Sequence, residues 1–377
     1  MDKVIIGIDA SRGAKPRLSG IEYYSRSIID AILKSAPKKN VRFRLYSPHP
    51  LRVDAPPGVP VEIKVMRFPR LWSQFRLAIE TILHPVDVLF VPAHTIPFLA
   101  RGKVVATVHD LGFLRFPSLY PPINRAYHKM CARFSIWRAE RIVAISEFTK
   151  RDILHYYPKT NSRKIIVTYS GVNQKRFRPL TKTDTLKYRP RYGNYILFLG
   201  RLEYKKNIHR IVESYASLRK DNPAISHKLV LGGLPKYGFQ EVEMYIATLP
   251  SSIAKDIVIT GYLSDADVPG IMREADLFLF PTLFEGFGLP VLEAFASGVP
   301  VVTSTTTSLP EVAGDAAILV DPTNIEEITM ACRKIITKRK LHKILREKGL
   351  ARCQRFSWDK AGRLTLEVLL DSINDSR

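Results

Sequence analysis

The sequence predicts an α/β protein built from two doubly wound domains, and three observations support this prediction. Short runs rich in Val, Ile and Leu alternate with helical stretches along most of the chain. Buried parallel strands have this continuous apolar character. The alternation stops in a polar, basic stretch at residues 174–194, which is expected to be a linker, and then starts again. A chain of 377 residues is also long for one domain and suits two domains of similar size.

The elements follow from apolar runs and helical periodicity. In the first half, strands are expected at residues 4–9, 41–46, 61–65, 86–91, 104–108, 141–145 and 165–168. Helices are expected there at residues 21–33, 71–83, 123–137 and 147–156. The second half predicts strands at residues 195–199, 228–231, 257–260, 277–280, 301–303 and 317–320. Its helices are expected at residues 207–218, 240–247, 266–274, from 290, 325–336, 341–352 and 358–370.

Composition excludes some classes of protein. No apolar run reaches the roughly 18 residues that a membrane span needs. The first nine residues have the pattern of a strand and not that of a signal peptide. The cysteines Cys131, Cys332 and Cys353 have no metal-ligand or pairing spacing, which indicates a reduced, cytoplasmic setting.

The net charge of +23 is concentrated in the first half of the chain. Residues 1–180 hold 31 Lys and Arg against 12 Asp and Glu, whereas residues 181–377 hold 27 against 23. A basic half indicates an anionic partner, which can be nucleic acid, an anionic membrane or a phosphorylated substrate. Charge alone does not choose between these partners.

The most informative stretch is residues 284–293, which joins a predicted strand to a predicted helix. Glu285 lies in its glycine-rich loop, and Glu293 follows about one turn into the helix. The N–H groups of such a loop and the positive end of the helix favour an anion at one point. Two carboxylates beside an anion site are suited to binding the hydroxyl groups of a sugar and a ribose, while the N–H groups hold phosphates.

A second stretch, residues 200–207, follows the first strand of the second half. Arg201 comes directly after the strand, and Lys206 lies at the start of the next helix. These two cations and the helix end are therefore predicted to converge on one diphosphate. The neighbouring Lys205 is expected to face solvent.

These two stretches resemble the E-x7-E and G-R-L-x-x-x-K-N signatures of the retaining glycosyltransferases of family four, which have the GT-B fold. The resemblance runs over nearly the whole chain and is closest to bacterial mannosyltransferase-like members. It implies two Rossmann-like domains that face a cleft. Residues 1–178 would bind the acceptor and residues 190–356 the nucleotide sugar, with a final helix at residues 358–377 crossing back to the first domain.

The resemblance also assigns roles to the residues of the second domain. It implies that Glu285 contacts the donor sugar, that Glu293 contacts the ribose, and that Arg201 and Lys206 bind the diphosphate. The same donor site includes the loop residues Gly286, Phe287, Gly288 and Leu289.

In the first domain, Gly20 opens a helix, and Ser19 precedes it where relatives usually carry a second glycine. The resemblance implies that backbone N–H groups at Gly20 touch the donor phosphate or the acceptor. It places His109, at a strand end, against the donor sugar, although a lone histidine is more often structural. Asp110 is expected to brace its loop, whereas Ser146 is expected first to cap a helix and second to contact a ligand.

The resemblance implies a retaining transfer of a hexose, with GDP-mannose as the favoured donor, to a saccharide or lipid-linked acceptor in cell-envelope polysaccharide synthesis. Arg201 and Lys206 would stabilise the departing diphosphate, so that no metal or other cofactor is expected. The expected catalytic set is therefore His109, Arg201, Lys206 and Glu285. The rival classes are a nucleic-acid-binding protein, for which no motif is found, and a GT-B epimerase or phosphorylase.

The basic first half carries a further prediction. Two helical stretches, residues 67–76 and 125–138, interleave cations with aromatic residues. Such surfaces bind anionic membranes, so the enzyme is expected to be peripheral on the inner face of the cell membrane. The alternative is that the aromatic residues Trp72, Phe75, Phe134 and Trp137 belong to the core and that the cations only aid solubility.

Overall fold

A computed structural model describes residues 4–15, 20–37, 40–68, 71–93 and 95–374. The strands are β1 (Val4–Asp9), β2 (Val41–Ser47), β3 (Val61–Val65), β4 (Val88–Val91), β5 (Lys103–Val108), β6 (Arg141–Ala144), β7 (Ile165–Val167), β8 (Tyr195–Leu199), β9 (Lys228–Gly232), β10 (Ile257–Gly261), β11 (Leu277–Phe280), β12 (Val301–Ser304) and β13 (Ile318–Val320).

The helices are α1 (Gly20–Ser35), α2 (Ala78–Leu83), α3 (Gly112–Arg115), α4 (Pro122–Arg138), α5 (Glu147–Tyr156), α6 (Arg189–Tyr192), α7 (Ile208–Asp221), α8 (Phe239–Thr248), α9 (Ser251–Ala254), α10 (Val268–Arg273), α11 (Leu289–Ala296), α12 (Leu309–Ala313), α13 (Ile325–Thr337), α14 (Arg339–Cys353) and α15 (Trp358–Asn374).

The chain forms two compact units, Met1–Gly171 with Ser357–Arg377, and Val172–Phe356. Each unit contains one parallel sheet with helices between its strands, so the predicted fold of two Rossmann-like domains is confirmed. The strand order is β3-β2-β1-β4-β5-β6-β7 in the first sheet and β10-β9-β8-β11-β12-β13 in the second. The order therefore reverses between β1 and β4 and between β8 and β11. Doubly wound sheets bind ligands at the carboxyl ends of the strands beside such a reversal.

In the first unit, α4, α5 and the segment that leads into α2 share one core cluster with the central strands. This cluster contains Ile136 of α4, Ile153 of α5 and Leu77, which directly precedes α2, and all three are buried. The last helix, α15, packs along α1 so closely that a Cβ atom on Gly362 would lie 2.4 Å from the backbone of Ala31. The final helix of the chain therefore belongs to the unit in which the chain begins.

The predicted linker is instead packed onto the second unit. Phe177 and Tyr188 are buried, and the carboxylate of Glu274 accepts the backbone N–H groups of three successive residues at the start of α6. Two buried aromatic side chains and one buried carboxylate therefore hold this segment against the second unit. Isolated residues of this kind do not produce a periodic pattern in the sequence, so the packing was not predicted.

The single helix predicted at residues 71–83 consists of a π-helical segment, Ser73–Leu77, followed by α2. It starts at Leu71, whose φ of 51° is left-handed. The indole of Trp72 is buried and donates to the carbonyl oxygen of Met66 at 2.6 Å. Trp72 is thus a core residue, whereas Phe75 is 52% and Trp137 is 73% exposed.

Candidate functional site

The loops after β8 and β9 touch through two glycines. The N–H of Gly200 donates to the carbonyl oxygen of Gly232 at 2.9 Å, and a Cβ atom on Gly233 would lie 1.8 Å from the carbonyl oxygen of Gly200. Gly200 and Gly233 also have φ values of 150° and 151°, which L side chains rarely adopt. Glycine is therefore required where Arg201 leaves the sheet.

Asn207 fixes the turn that carries Lys206. This asparagine adopts the left-handed conformation at the start of α7 and is buried. Its side-chain amide donates to the carbonyl oxygens of Pro281, at 2.8 Å, and Pro322, at 2.6 Å. The N–H of Leu283 donates to the carbonyl oxygen of Lys205 at 3.0 Å. These bonds join the loop after β8 to the loop after β11.

This junction brings Lys206 and Glu285 together as an ion pair. Their side chains are only 14% and 16% exposed. The ammonium group also lies 5.6 Å from the centre of the Phe280 ring, at the end of β11. Two residues that the sequence analysis assigned to one site, from stretches about 80 residues apart, thus meet beside the strand-order reversal of the second unit.

The side chain of Ser308 forms hydrogen bonds with the backbone of the glycine-rich loop that carries Glu285. The buried Ser308 hydroxyl lies 3.0 Å from the carbonyl oxygen of Glu285 and 2.9 Å from that of Phe287, and it donates to this pair of acceptors. Gly288 has a φ of 102°, and a Cβ atom there would lie 2.7 Å from the side chain of Leu309. The loop then enters α11 at Leu289, with Pro290 in the first turn.

Glu293 lies in the second turn of α11 and is half-buried. Burial raises the pKa of its carboxyl from an ordinary 4.5 to about 7, although the charge of Arg176 opposes this shift. Among the residues that the structure describes, no donor forms a hydrogen bond with its side chain. A partly desolvated carboxylate without a protein partner suits a ligand that brings its own hydroxyl groups.

Arg201 and Lys205 both lie beside the carboxylate of Glu203. The Arg201 side chain is 60% exposed and lies 3.5 Å from the carboxylate of Glu203. The prediction that Lys205 faces solvent is wrong, because its side chain is only 14% exposed and lies 3.6 Å from the same carboxylate. Lys205 thus packs against Glu203, and Arg201 is more accessible to solvent than Lys205.

Three further hydroxyl groups belong to this region and were not predicted. The Oγ1 atoms of Thr282, Thr306 and Thr307 are buried and have no hydrogen-bond partner within the described ranges. Thr307 has a left-handed φ of 62° directly before Ser308. Buried hydroxyl groups are normally hydrogen-bonded, so these are available to a ligand or to water. These threonines belong to no recognisable motif. Asn207 lies in the predicted stretch 200–207 but had no assigned role, and Ser308 was not predicted.

In the first unit, His109 directly follows the last residue of β5 and is buried. Its Nε2 atom lies 3.0 Å from the carbonyl oxygen of Pro92, and its ring meets Tyr24 edge to face at 4.7 Å. A carbonyl oxygen can only accept, so Nε2 carries the proton and Nδ1 is left as an acceptor. Burial lowers the pKa of the imidazole, which favours the neutral form.

The remaining candidates of the first unit have local structural roles. Asp110 accepts the N–H of Gly112 at 2.8 Å and so braces its loop, as predicted. Ser146 caps α5 by accepting the N–H of Thr149 at 2.9 Å, which confirms its first predicted role. Gly20 is the first residue of α1, and apart from its chain neighbours and its own helix backbone no described atom lies within 4 Å of a Cβ atom placed there. Ser19 lies outside the described residues.

The residues that the structure describes include no group of three or more His, Cys, Asp or Glu side chains placed to hold a metal. No helix in the same ranges is long and apolar enough to cross a membrane. The expected metal independence is not tested by this finding and stays a prediction.

Two family models and several relatives match the chain. A family model described as "Glycosyl transferases group 1" matches residues 188–352, and one described as "Glycosyltransferase Family 4" matches residues 28–176. The chain is 29% identical over 270 residues to an O-antigen chain mannosyltransferase B of Escherichia coli, covering 71% of this chain and 70% of the relative. It is 27% identical over 347 residues to an MMP alpha-(1->4)-mannosyltransferase of Mycolicibacterium hassiacum, covering 85% and 82%. The chain matches only 34% of the length of a serotype-specific mannosyltransferase of Escherichia coli.

Solved structures show the same fold. A sucrose-phosphate synthase from Thermosynechococcus elongatus superposes with a TM-score of 0.76 at 15% identity, covering 100% of both chains. An Anabaena protein crystallised with UDP and glucose superposes with a TM-score of 0.70 at 18% identity, covering 98% of this chain and 99% of that one.

The protein is therefore a glycosyltransferase with the GT-B fold. It belongs to the family-four-like glycosyltransferases, since the two family models together span most of the chain. The rival classes of nucleic-acid-binding protein, epimerase and phosphorylase are set aside.

Proposed function

We propose that this enzyme transfers mannose from GDP-mannose, with retention of the anomeric configuration, to a saccharide carried on a lipid in cell-envelope polysaccharide synthesis. The observation that carries this proposal is the meeting of Lys206 and Glu285 beside a glycine-rich loop at the strand-order reversal. The names of the mannosyltransferase relatives support the choice of sugar. The O-antigen relative supports the choice of a polysaccharide acceptor.

The donor binds to the second unit in this proposal. The exposed guanidinium of Arg201 and the ammonium of Lys206 hold the diphosphate, and the N–H groups of residues 286–289 complete the phosphate site. Glu285 accepts hydroxyl groups of the mannose, and Glu293 accepts the two ribose hydroxyl groups. Lys206 is already held by Glu285, so the binding of sugar and diphosphate is coupled through one ion pair.

In the transfer step, the bond between the anomeric carbon and the diphosphate oxygen breaks as the acceptor oxygen bonds to the same face of the sugar. The leaving phosphate oxygen takes the acceptor proton, so that no protein carboxylate is needed as base. Arg201 and Lys206 stabilise the negative charge that develops on the diphosphate. Neutral His109 offers Nδ1 to a sugar hydroxyl group.

The enzyme would act in the cytoplasm, as a peripheral protein on the inner face of the cell membrane. Nucleotide sugars are made in the cytoplasm, and a lipid-linked acceptor lies at that face. The excess of Lys and Arg in residues 1–180 supports an anionic surface as partner. Nucleic acid is not an expected partner.

Thermal-shift measurements and turnover assays with GDP-mannose, UDP-glucose and UDP-galactose test the donor. GDP-mannose at about 100 times its Kd is expected to raise the free energy of unfolding by about 2.7 kcal/mol, with no effect of the UDP-sugars at the same concentration. The anomeric configuration of the product, determined by NMR, should match that of the donor. Turnover is expected to survive a chelator.

The matched variants are Glu285→Gln, which should lower turnover on the order of 10²-fold, and Glu326→Gln, an exposed carboxylate of α13 that should leave turnover unchanged. A shift with UDP-glucose alone would overturn the choice of donor. An inverted product or a strict requirement for a divalent cation would overturn the mechanism. Wild-type turnover by Glu285→Gln would show that the site is misassigned.

A further inference from the structure

Helix α4 carries an exposed apolar stripe. Ile123, Met130 and Trp137 are spaced by seven residues and therefore lie on one side of the helix. They are 84%, 51% and 73% exposed. The opposite side of α4 is buried in the core through Ala132 and Ile136. The helix is thus apolar on both sides, and only one side is covered by the first unit.

A second stripe lies on the segment that contains the π-helical turn and α2. Leu71, Phe75, Ile79 and Leu83 are spaced by four residues and are between 49% and 66% exposed. Phe68 extends this stripe, since its ring lies 6.3 Å from that of Phe75. The prediction that residues 67–76 interleave cations with surface aromatics therefore holds for Phe68 and Phe75, although not for Trp72.

The two stripes form one continuous surface through the loop after β4. The side chain of Gln74 accepts the N–H of Phe98 at 2.9 Å and donates to the carbonyl oxygen of Ile96 at 3.2 Å. The Phe98 ring meets Phe134 edge to face at 4.8 Å. The Phe134 ring in turn lies 5.9 Å from Trp137. We call this surface the aromatic face and define it as Phe68, Leu71, Phe75, Ile79, Leu83, Phe98, Leu99, Ile123, Met130, Phe134 and Trp137.

Two grooves flank Trp137 on the aromatic face. One has a volume of about 670 Å³ and lies between Met130, Phe134 and Trp137. The other, of about 630 Å³, lies between Trp137 and residues 156–161. Lys129 and Arg133 border both grooves. Each groove therefore combines an apolar wall with cations at its rim, which suits a molecule with an anionic head and an apolar tail.

The charge of this surface is one-sided. Helix α4 contains Arg125, Lys129, Arg133 and Arg138 and no carboxylate. Two carboxylates of the neighbouring helices are buried against cations: Glu80 against Lys64 and Arg76, and Asp152 against Arg115. Glu147, in the first turn of α5, is exposed. Contiguous exposed apolar surface of this extent is uncommon on a soluble protein unless it binds something. The cationic rim identifies the partner as an anionic amphiphile.

We propose that the aromatic face docks on an anionic lipid bilayer, with Trp137 as its anchor at the headgroup level and the two grooves taking lipid. This proposal rests on the proposed function for its biological setting, because an acceptor carried on a lipid requires an enzyme at the membrane. It goes further in assigning the contact to one preformed surface that two distant segments build together. Both segments therefore enter the interface at once, and neither has to refold.

Co-sedimentation of the full chain with vesicles tests the proposal. Vesicles of phosphatidylcholine and phosphatidylglycerol at about 7:3 should bind the protein, and pure phosphatidylcholine should bind it at least about tenfold more weakly. Raising the salt from about 0.1 M to about 1 M should release most of the protein, because the Debye length falls from about 10 Å to about 3 Å.

The variants separate the two parts of the surface. Lys129→Glu with Arg133→Glu, and Ile123→Ser with Trp137→Ser, should each weaken binding at least about tenfold. Phe75→Ser with Leu83→Ser tests the second stripe and should weaken binding as well. The matched controls in the second unit are Lys343→Glu and Met244→Ser, which are also exposed and should bind like the wild type. Circular dichroism confirms that each variant is folded.

Turnover on GDP-mannose with a water-soluble acceptor is measured in parallel, since it distinguishes the two proposals. Normal turnover without vesicle binding would overturn the docking face and leave the proposed function intact. Vesicle binding without turnover on any donor would overturn the proposed function and leave the docking face intact. Equal binding to neutral vesicles, unchanged binding by the α4 variants, or a stable dimer that Trp137→Ser dissociates would also overturn the proposal.

Discussion

Lys206 and Glu285 form an ion pair in the absence of ligand, so substitutions of Lys206 and of Arg201 should have different effects. Lys206→Ala removes the partner of a largely buried carboxylate, so it should lower both the affinity for GDP and the free energy of unfolding, the latter by on the order of 1–3 kcal/mol. Arg201→Ala removes a side chain that is 60% exposed and should lower the affinity for GDP alone. Calorimetry with GDP and with guanosine measures the difference, because the lost contacts are to phosphate.

Lys220→Ala, at the exposed far end of α7, is the control for these two variants. It should leave the binding of GDP and guanosine unchanged. Equal losses for GDP and guanosine in Arg201→Ala and Lys206→Ala would contradict the assignment of these cations to the diphosphate. Lys205 is unsuitable as a control, because it lies against Glu203.

Glu293 predicts a pH dependence of nucleotide binding. Its carboxyl has a pKa of about 7 because of burial. A ribose diol donates to the ionised form, so binding should strengthen as the pH rises through this value. Between pH 6 and pH 8 the ionised fraction of this carboxyl increases by about tenfold, and the affinity of the wild type for GDP should increase by a similar factor. In Glu293→Gln this increase in affinity should be absent. The difference between the pH profiles of the wild type and this variant also removes the contribution of the titrating phosphate of the nucleotide.

The same pKa has a consequence for stability. In the unfolded chain the carboxyl ionises near 4.5, whereas in the folded chain it ionises near 7. The free energy of unfolding therefore falls as the pH rises from about 4.5 to about 7, on the order of 1–3 kcal/mol, and is constant beyond this window. Glu293→Gln should accordingly raise the melting temperature at pH 8 and have little effect at pH 4. A variant no more stable than the wild type at pH 8 would show that the carboxylate is not desolvated.

At the scale of elements, the loop between β11 and α11 positions Glu285 by its backbone. Gly288→Ala would have to keep a φ of 102° and place its methyl group 2.7 Å from Leu309. We expect a loss of stability on the order of 1–3 kcal/mol and a displaced Glu285, so turnover should fall by more than the affinity for GDP. The control is Gly193→Ala, which has a φ of 70° and nothing within 4 Å. If both variants keep full turnover, the contact with Leu309 does not position the loop.

The elements themselves were predictable because buried parallel strands are continuous apolar runs and amphipathic helices have a period of about 3.6 residues. The strand β11 and the helix α5 lie at the residues that their patterns predicted. The conformation of residues 71–77 was not predictable, because it depends on Trp72 reaching back to Met66. The short helices α6 and α12 span 4 and 5 residues and are too short for a period to show.

The candidate site was predictable where a motif carries its chemistry, and less so where tertiary contacts decide. Glu285 and Lys206 were recognised one by one, but their contact depends on Asn207 bridging two loops. Lys205 was misjudged because the orientation of adjacent lysines depends on Glu203. Phe75 and Trp72 have similar character in the sequence, but Trp72 is buried and donates to the carbonyl oxygen of Met66, whereas Phe75 is exposed.

At the scale of the molecule, the unit boundaries do not follow the order of the chain. The last helix, α15, returns to the first unit, where it contacts α1 and the strands β4, β5 and β6. Leu369 in α15 is fully buried. Leu369→Ala should therefore cost on the order of 2–5 kcal/mol in the first unit, although the residue is close to the end of the chain.

Hydrogen exchange measured by mass spectrometry resolves which unit is affected, because exchange reports local stability. In Leu369→Ala, peptides from β1 and β4 should exchange faster, while peptides from β8 and β11 should be unchanged and GDP should bind as in the wild type. The matched variant is Leu292→Ala in α11, which is also fully buried and should show the opposite pattern, with weaker binding of GDP. If Leu369→Ala accelerated exchange equally in both units, they would unfold as one cooperative block and not as two.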